Sequence, residues 1–153
     1  MSYPIFKILL LTLGVLPLAW LFWPRRTHRI RGTVAELEPR ISHLMHSGRQ
    51  TFLIVRIAGT KDFLQLTATP DSAQIDFPLV TDRQRELEPR IREAAAALGL
   101  DFRETRGSDG SRFLDCDLTR TPTEIARACR QLLMRVFGVS GDARLAYESD
   151  AVI

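Results

Sequence analysis

The residue types that most often carry chemistry are sparse in this 153-residue sequence, and their spacing limits what each could do. His43 and His46 stand three apart, close enough on one helix face to share a metal ion. No Cys, Asp or Glu falls beside them at a matching interval, so they read as solvated histidines in a last helical turn, where a cation is favourable. Asp115 and Asp117 alternate along one predicted strand and share a face. Two carboxylates do acid–base work when one is buried and its pKa raised. With Arg103 expected to pair with Asp115 on an open face, the two carboxylates read as part of a solvated strand surface. Cys116 and Cys129 fall on apolar stripes; a reactive thiol needs an exposed, electropositive setting, so both read as small core side chains. There is no Gly-x-Ser-x-Gly elbow and no glycine-rich phosphate loop. The sequence therefore assigns no catalytic residue, no metal ligand and no cofactor. A small hydrolase using Asp115, Asp117 or His43 stands as the alternative to a non-enzymatic chain.

The elements that would position these groups follow from apolar periodicity. Thr33 and Glu36 match a capping box, and Val34, Leu37, Ile41, Leu44 and Met45 continue at helical spacing to Gly48. Pro39 predicts a kink there, or a helix that begins at that point. Two β-rich runs, 52–57 and 63–68, flank a loop at 59–62 that would set Ala58 opposite Phe63. That register sends Leu53, Val55 and Ile57 to one strongly apolar side, and Phe52, Ile54 and Phe63 to the other. Ile75, Phe77 and Leu79 alternate in a third strand that Pro78 ends or places at an edge. Thr81 and Gln84 open a second helix with Leu87, Ile91, Ala94, Ala95 and Leu98 on its stripe. Strands at 101–106 and 112–118 meet across Ser108-Asp109-Gly110, with Gly110 left-handed and Arg103 opposite Asp115. The last helix starts at Thr121-Pro122 with Glu124 completing a capping box, and ends at Gly138. The six-residue word Glu-Leu-Glu-Pro-Arg-Ile occurs at both 36–41 and 86–91; it reads as two amphipathic helix segments, and no function is drawn from it.

Residues 5–23 form a 19-residue stretch with 15 apolar side chains, interrupted by Lys7, Thr12, Gly14 and Pro17. About 20 apolar residues suffice to cross the hydrocarbon core as a helix, and Tyr3, Trp20 and Trp23 sit where interfacial aromatics belong. The bulky end Ala19-Trp20-Leu21-Phe22-Trp23-Pro24 lacks the small residues of a signal-peptide cleavage site. Four arginines follow within eight residues, which by the positive-inside rule keeps the C-terminal side in the cytoplasm. Charge agrees with this division. Residues 1–31 carry five basic side chains and no acid, whereas 32–153 hold 16 Lys+Arg and 18 Asp+Glu. The folded part thus lacks the basic footprint of nucleic-acid binding.

The expectation is an α+β protein: an antiparallel sheet with helices on one face, in the order α-β-β-β-α-β-β-α, preceded by one transmembrane helix. Residues 1–31 would be the anchor and basic linker, and 32–153 a cytoplasmic domain at the inner membrane of a bacterial cell. The element order resembles type III secretion chaperones and their YbjN-like relatives, including TY-Chap domains. The likeness covers roughly 33–147 and rests on Phe52-Leu53-Ile54-Val55-Arg56-Ile57, on Val136-Phe137-Gly138-Val139 after the last helix, and on Leu145-x-Tyr147. It implies a non-enzymatic, often dimeric binder of secreted or unstable proteins; the anchor is a departure from that group. The predicted function is a membrane-tethered protein-binding module that holds a client or membrane complex, with Phe52, Ile54 and Phe63 as the partner-binding residues. Two outcomes remain open for those three: a partner site, or a face covered by the C-terminal tail or the first helix.

Overall fold

The computed structural model describes residues 28–150. A strand β1 (His28–Thr33) runs through one 3-10 turn (Val34–Glu36) into helix α1 (Leu37–Met45). Three strands follow, β2 (Thr51–Ile57), β3 (Phe63–Ala68) and β4 (Ala73–Pro78), then helix α2 (Asp82–Leu98). Strands β5 (Arg103–Arg106) and β6 (Arg112–Leu118) precede helix α3 (Pro122–Phe137), and β7 (Arg144–Ser149) closes the chain. All pairs are antiparallel in a single seven-stranded sheet of spatial order β1-β7-β2-β3-β4-β6-β5.

The expected class holds, but the expected order is incomplete. A strand precedes the first helix of the described residues and another follows the last, so their order is β-α-β-β-β-α-β-β-α-β. The expected basic linker ends earlier than its sequence suggests, because four of its residues, 28–31, lie in β1. Only Ile30 among them is apolar, and no alternation marks a strand. Backbone pairing with β7 holds the segment, from His28 opposite Ser149 to Thr33 opposite Arg144. The expected transmembrane helix is not among the described elements. No helix of the described residues is long and apolar enough to cross a membrane; the longest, α2, has 17 residues, of which nearly half are charged. The apolar stretch 5–23 lies outside the described residues.

Strand parity builds the core. Leu53, Val55, Leu64, Leu66, Ile75, Phe77, Leu114 and Cys116 all point inward and are almost fully buried. They meet Leu37 and Ile41 of α1, Leu87 and Ile91 of α2, and Ile125, Cys129, Leu132 and Leu133 of α3 in one cluster. The β2–β3 register differs from expectation by two residues: Arg56, not Ala58, faces Phe63, and the loop is correspondingly longer. A slip of two preserves the face of every side chain, so the inward and outward sets remain as expected. The β5–β6 hairpin has the expected three-residue loop, with Gly110 at φ 83° and Arg103 opposite Asp115.

The two copies of the repeated word play different parts. In the first, Pro39 is the third residue of α1, where its missing N–H has no helical partner to lose. In the second, Pro89 lies inside α2 and removes one donor from the helical ladder. Both words nevertheless bury their Leu and Ile, namely Leu37 and Ile41, and Leu87 and Ile91.

The β1–β7–α1 corner is tied by polar contacts. The Glu36 carboxylate accepts from the Thr33 N–H at 3.0 Å and pairs with Arg40. The Arg40 guanidinium lies 4.5 Å from the centroid of the Tyr147 ring, and the buried Tyr147 hydroxyl donates to the Thr33 carbonyl at 2.5 Å. Tyr147→Phe should therefore lower stability by ~1–2 kcal/mol, the cost of losing this part-buried hydrogen bond. A chain ending at Ala143 should not give a cooperative thermal transition, because β1 and β2 lose their common neighbour. Thermal melting by circular dichroism measures both.

Candidate functional site

Three helices cover one face of the sheet. Among the described residues no element packs on the other. The described part of the C-terminal tail becomes β7 inside the sheet and α1 packs on the inner side, so neither covers the outer face. One register row crosses all seven strands on that face. It runs Arg29, Glu148, Ile54, Gln65, Asp76, Asp115 and Arg103, each directly opposite the next. A parallel row carries Arg31, Ala146, Arg56 and Phe63, and continues on the far side with Pro78, Phe113 and Thr105. A third row holds Phe52, Thr67, Gln74 and Asp117.

The centre of this face is apolar. Phe52, Ile54 and Phe63 occupy neighbouring positions on β2 and β3, and each is half-buried. Arg56 lies 5.1 Å from the Phe63 ring centroid and donates from Nε to Glu148 at 3.0 Å. The Phe52 N–H donates to the Asp150 carboxylate at 3.0 Å.

The two ends differ in charge. Toward β1 and β7 lie Arg29, Arg31, Arg56 and Arg144, with Glu148 the acid among them; it reaches Arg29 at 3.4 Å and Arg56 at 3.0 Å. Toward β4 and β6 lie Asp76, Asp115 and Asp117. Burial, followed by the charge of Asp115, pushes the Asp76 carboxyl up to about 7. The Asp115 carboxylate accepts a hydrogen bond from the Thr105 hydroxyl. The expected Arg103–Asp115 ion pair does not form: although the two residues are opposite, Arg103 turns to Asp101 at 3.2 Å.

The residues of the hydrolase alternative are divided between the two sides of the protein. Asp115 and Asp117 are on the outer sheet face, and His43 is exposed on α1 in the helical layer. They do not share a cleft. His46 bonds back to the Ser42 carbonyl of its own helix at 2.6 Å. No group of three or more His, Cys, Asp or Glu side chains among the described residues could hold a metal ion. Cys116 and Cys129 are free and buried; burial raises the Cys116 thiol and pushes Cys129 up to about 12.

Asp76 was not singled out by sequence, since it reads as the polar member of an alternating strand. Its pairing with Asp115 joins β4 to β6 across the whole of α2 and β5, and no local signal announces it. The available signal was parity: Asp76, Asp115 and Asp117 all occupy outward positions.

The raised pKa of Asp76 has a defined consequence for stability. Between about 4, the ordinary carboxyl value, and about 7, the folded state holds a proton that the unfolded chain has released. The associated stability is complete below the lower value and is lost as pH rises through about 7. Asp76→Asn should flatten the decline and raise stability at pH 8 by ~1–2 kcal/mol, allowing for solvent screening of a carboxyl that is only partly buried. Chemical denaturation from pH 4 to pH 8 tests it; an unchanged slope would remove the carboxyl pair as its cause.

Comparison of the chain with protein-family models, with curated proteins and with solved structures finds no match.

Proposed function

We propose that the domain is a non-enzymatic protein-binding module that grips a client or membrane complex with its outer sheet face. In this reading the apolar run 5–23 holds the module at the cytoplasmic side of the membrane. The observation that carries the proposal is the contiguous set Phe52, Ile54 and Phe63 at the centre of a face that no described element covers. Such a centre with charged residues around it has the anatomy of a protein interface, an apolar middle within a polar rim. A sheet surface of this kind offers area and shape rather than a reaction centre. The separation of His43 from Asp115 and Asp117 supports the same choice, because the hydrolase reading needs them around one substrate.

A photoreactive side chain at Ile54 or Phe63 of the full chain, in membranes, should crosslink to a discrete protein species. One at Glu93, exposed on α2, should not. A crosslinked second copy of the chain would assign the face to a homodimer. Ile54→Ala should weaken capture while changing stability by less than about 1 kcal/mol, whereas Leu53→Ala should cost ~2–5 kcal/mol. Asp115→Asn, Asp117→Asn and His43→Ala should leave cellular function intact. Loss of function from any of these three at unchanged melting temperature would favour the hydrolase.

A further inference from the structure

At the β1–β7–β2 end of the outer face, Arg29, Arg31 and Arg144 line a cleft of about 810 Å³ around Ala58, Gly59 and Ala146. The volume is that of a small-molecule site. Its middle is made of small side chains, so the guanidinium groups define its chemistry. Arg31 and Arg144 are exposed and form no ion pair among the described residues. Arg29 shares Glu148 with Arg56, so one carboxylate serves two arginines and the cleft keeps an excess of positive charge. Other arginines of the domain are matched one to one or better by carboxylates, as Arg83 is by Asp62, Arg92 by Glu88 and Arg112 by Glu88 and Glu104. Two arginines without a carboxylate partner among the described residues, Arg31 and Arg144, and one that shares its carboxylate, Arg29, thus line the same cleft.

We infer that this cleft binds a phosphate group, with Arg31 and Arg144 as its principal ligands and Arg29 as an accessory one. Planar guanidinium forks match phosphate oxygens in bidentate geometry. The proposal is separate from the protein-binding reading, which uses the apolar centre of the face. Two sources present the same chemistry: a soluble phosphate ester, or the headgroup of an anionic lipid. Chain geometry keeps the second within reach. Arg29 follows Trp23, the end of the apolar run, by six residues, a span of at most about 20 Å even when fully extended.

The test uses the full chain. In neutral detergent it is titrated with inorganic pyrophosphate; in lipid nanodiscs its melting is compared between phosphatidylcholine alone and phosphatidylcholine with phosphatidic acid. A rise of a few degrees in melting temperature is expected in at least one arm. Pyrophosphate binding would identify a soluble ligand, and a shift confined to phosphatidic acid a lipid headgroup. Arg31→Gln and Arg144→Gln should each weaken the effect ~10-fold or more, the loss of a charge-assisted hydrogen bond. Both side chains are exposed, so these variants should fold normally, as their unliganded melting will verify. Arg103→Gln, at the far edge of the sheet, should leave the effect unchanged. No shift in either arm would overturn the site. So would a shift equally sensitive to Arg103→Gln, or one fully retained by Arg144→Lys, since either reduces the effect to general surface charge.

Discussion

Strand β7 holds β1 in place, although more than a hundred residues separate them. β7 pairs with β1 along six residues and with β2 along five, and neither neighbour reaches the other without it. Each backbone group of β7 is thus committed to the sheet on both sides, while Leu145 and Tyr147 enter the core beneath. The α1 corner depends on this arrangement, because the Tyr147 hydroxyl and ring provide the contacts to Thr33 and Arg40. Burial also holds the phenol well above its ordinary pKa, so it remains a neutral donor to that carbonyl. Pairing so distant in sequence carries a loop-closure cost that only the completed core offsets.

Because β7 lies within the sheet, it does not itself cover the outer face. A tail lying across that face would have covered Phe52, Ile54 and Phe63. Instead the seven strands place their outward side chains in register rows, and the rows separate charge along the sheet. Arginines collect toward β1 and β7, carboxylates toward β4 and β6, and the apolar trio lies between them. The carboxylates crowd because strands remote in sequence become neighbours, and burial together with the charge of Asp115 raises the Asp76 carboxyl. The arginines converge through the same mechanism: Arg29 and Arg31 come from β1, Arg144 from β7, and they meet only after those strands pair. Recognition of a protein by the middle and of a phosphate by one end are compatible uses of a single face.

Much was legible from local pattern. Alternation in 52–57 and 63–68 identified which side chains point inward, and parity protected that reading when the register proved two residues different. Thr81 with Gln84 and Thr121 with Glu124 marked helix starts that the structure keeps, each threonine accepting the backbone N–H three residues on. Gly99 and Gly138 ended the same helices in the left-handed conformation. Such signals act within a few residues, through backbone hydrogen bonds and side-chain spacing, and so they survive in a bare sequence. The outward positions of Phe52, Ile54 and Phe63 were legible for the same reason.

What tertiary structure alone decided was adjacency between distant segments. β1 has too little apolar character to declare itself, and it becomes a strand because β7 supplies its partners. The Asp76–Asp115 pair and the arginine cleft are each assembled from strands separated by helices. The Arg103–Asp115 ion pair shows the converse limit. The register placed the two residues opposite each other, but rotamer choice sent Arg103 to Asp101 and left Asp115 to Thr105. Backbone pairing sets which residues are neighbours; the competition among nearby partners, which no local pattern encodes, decides which of them bond.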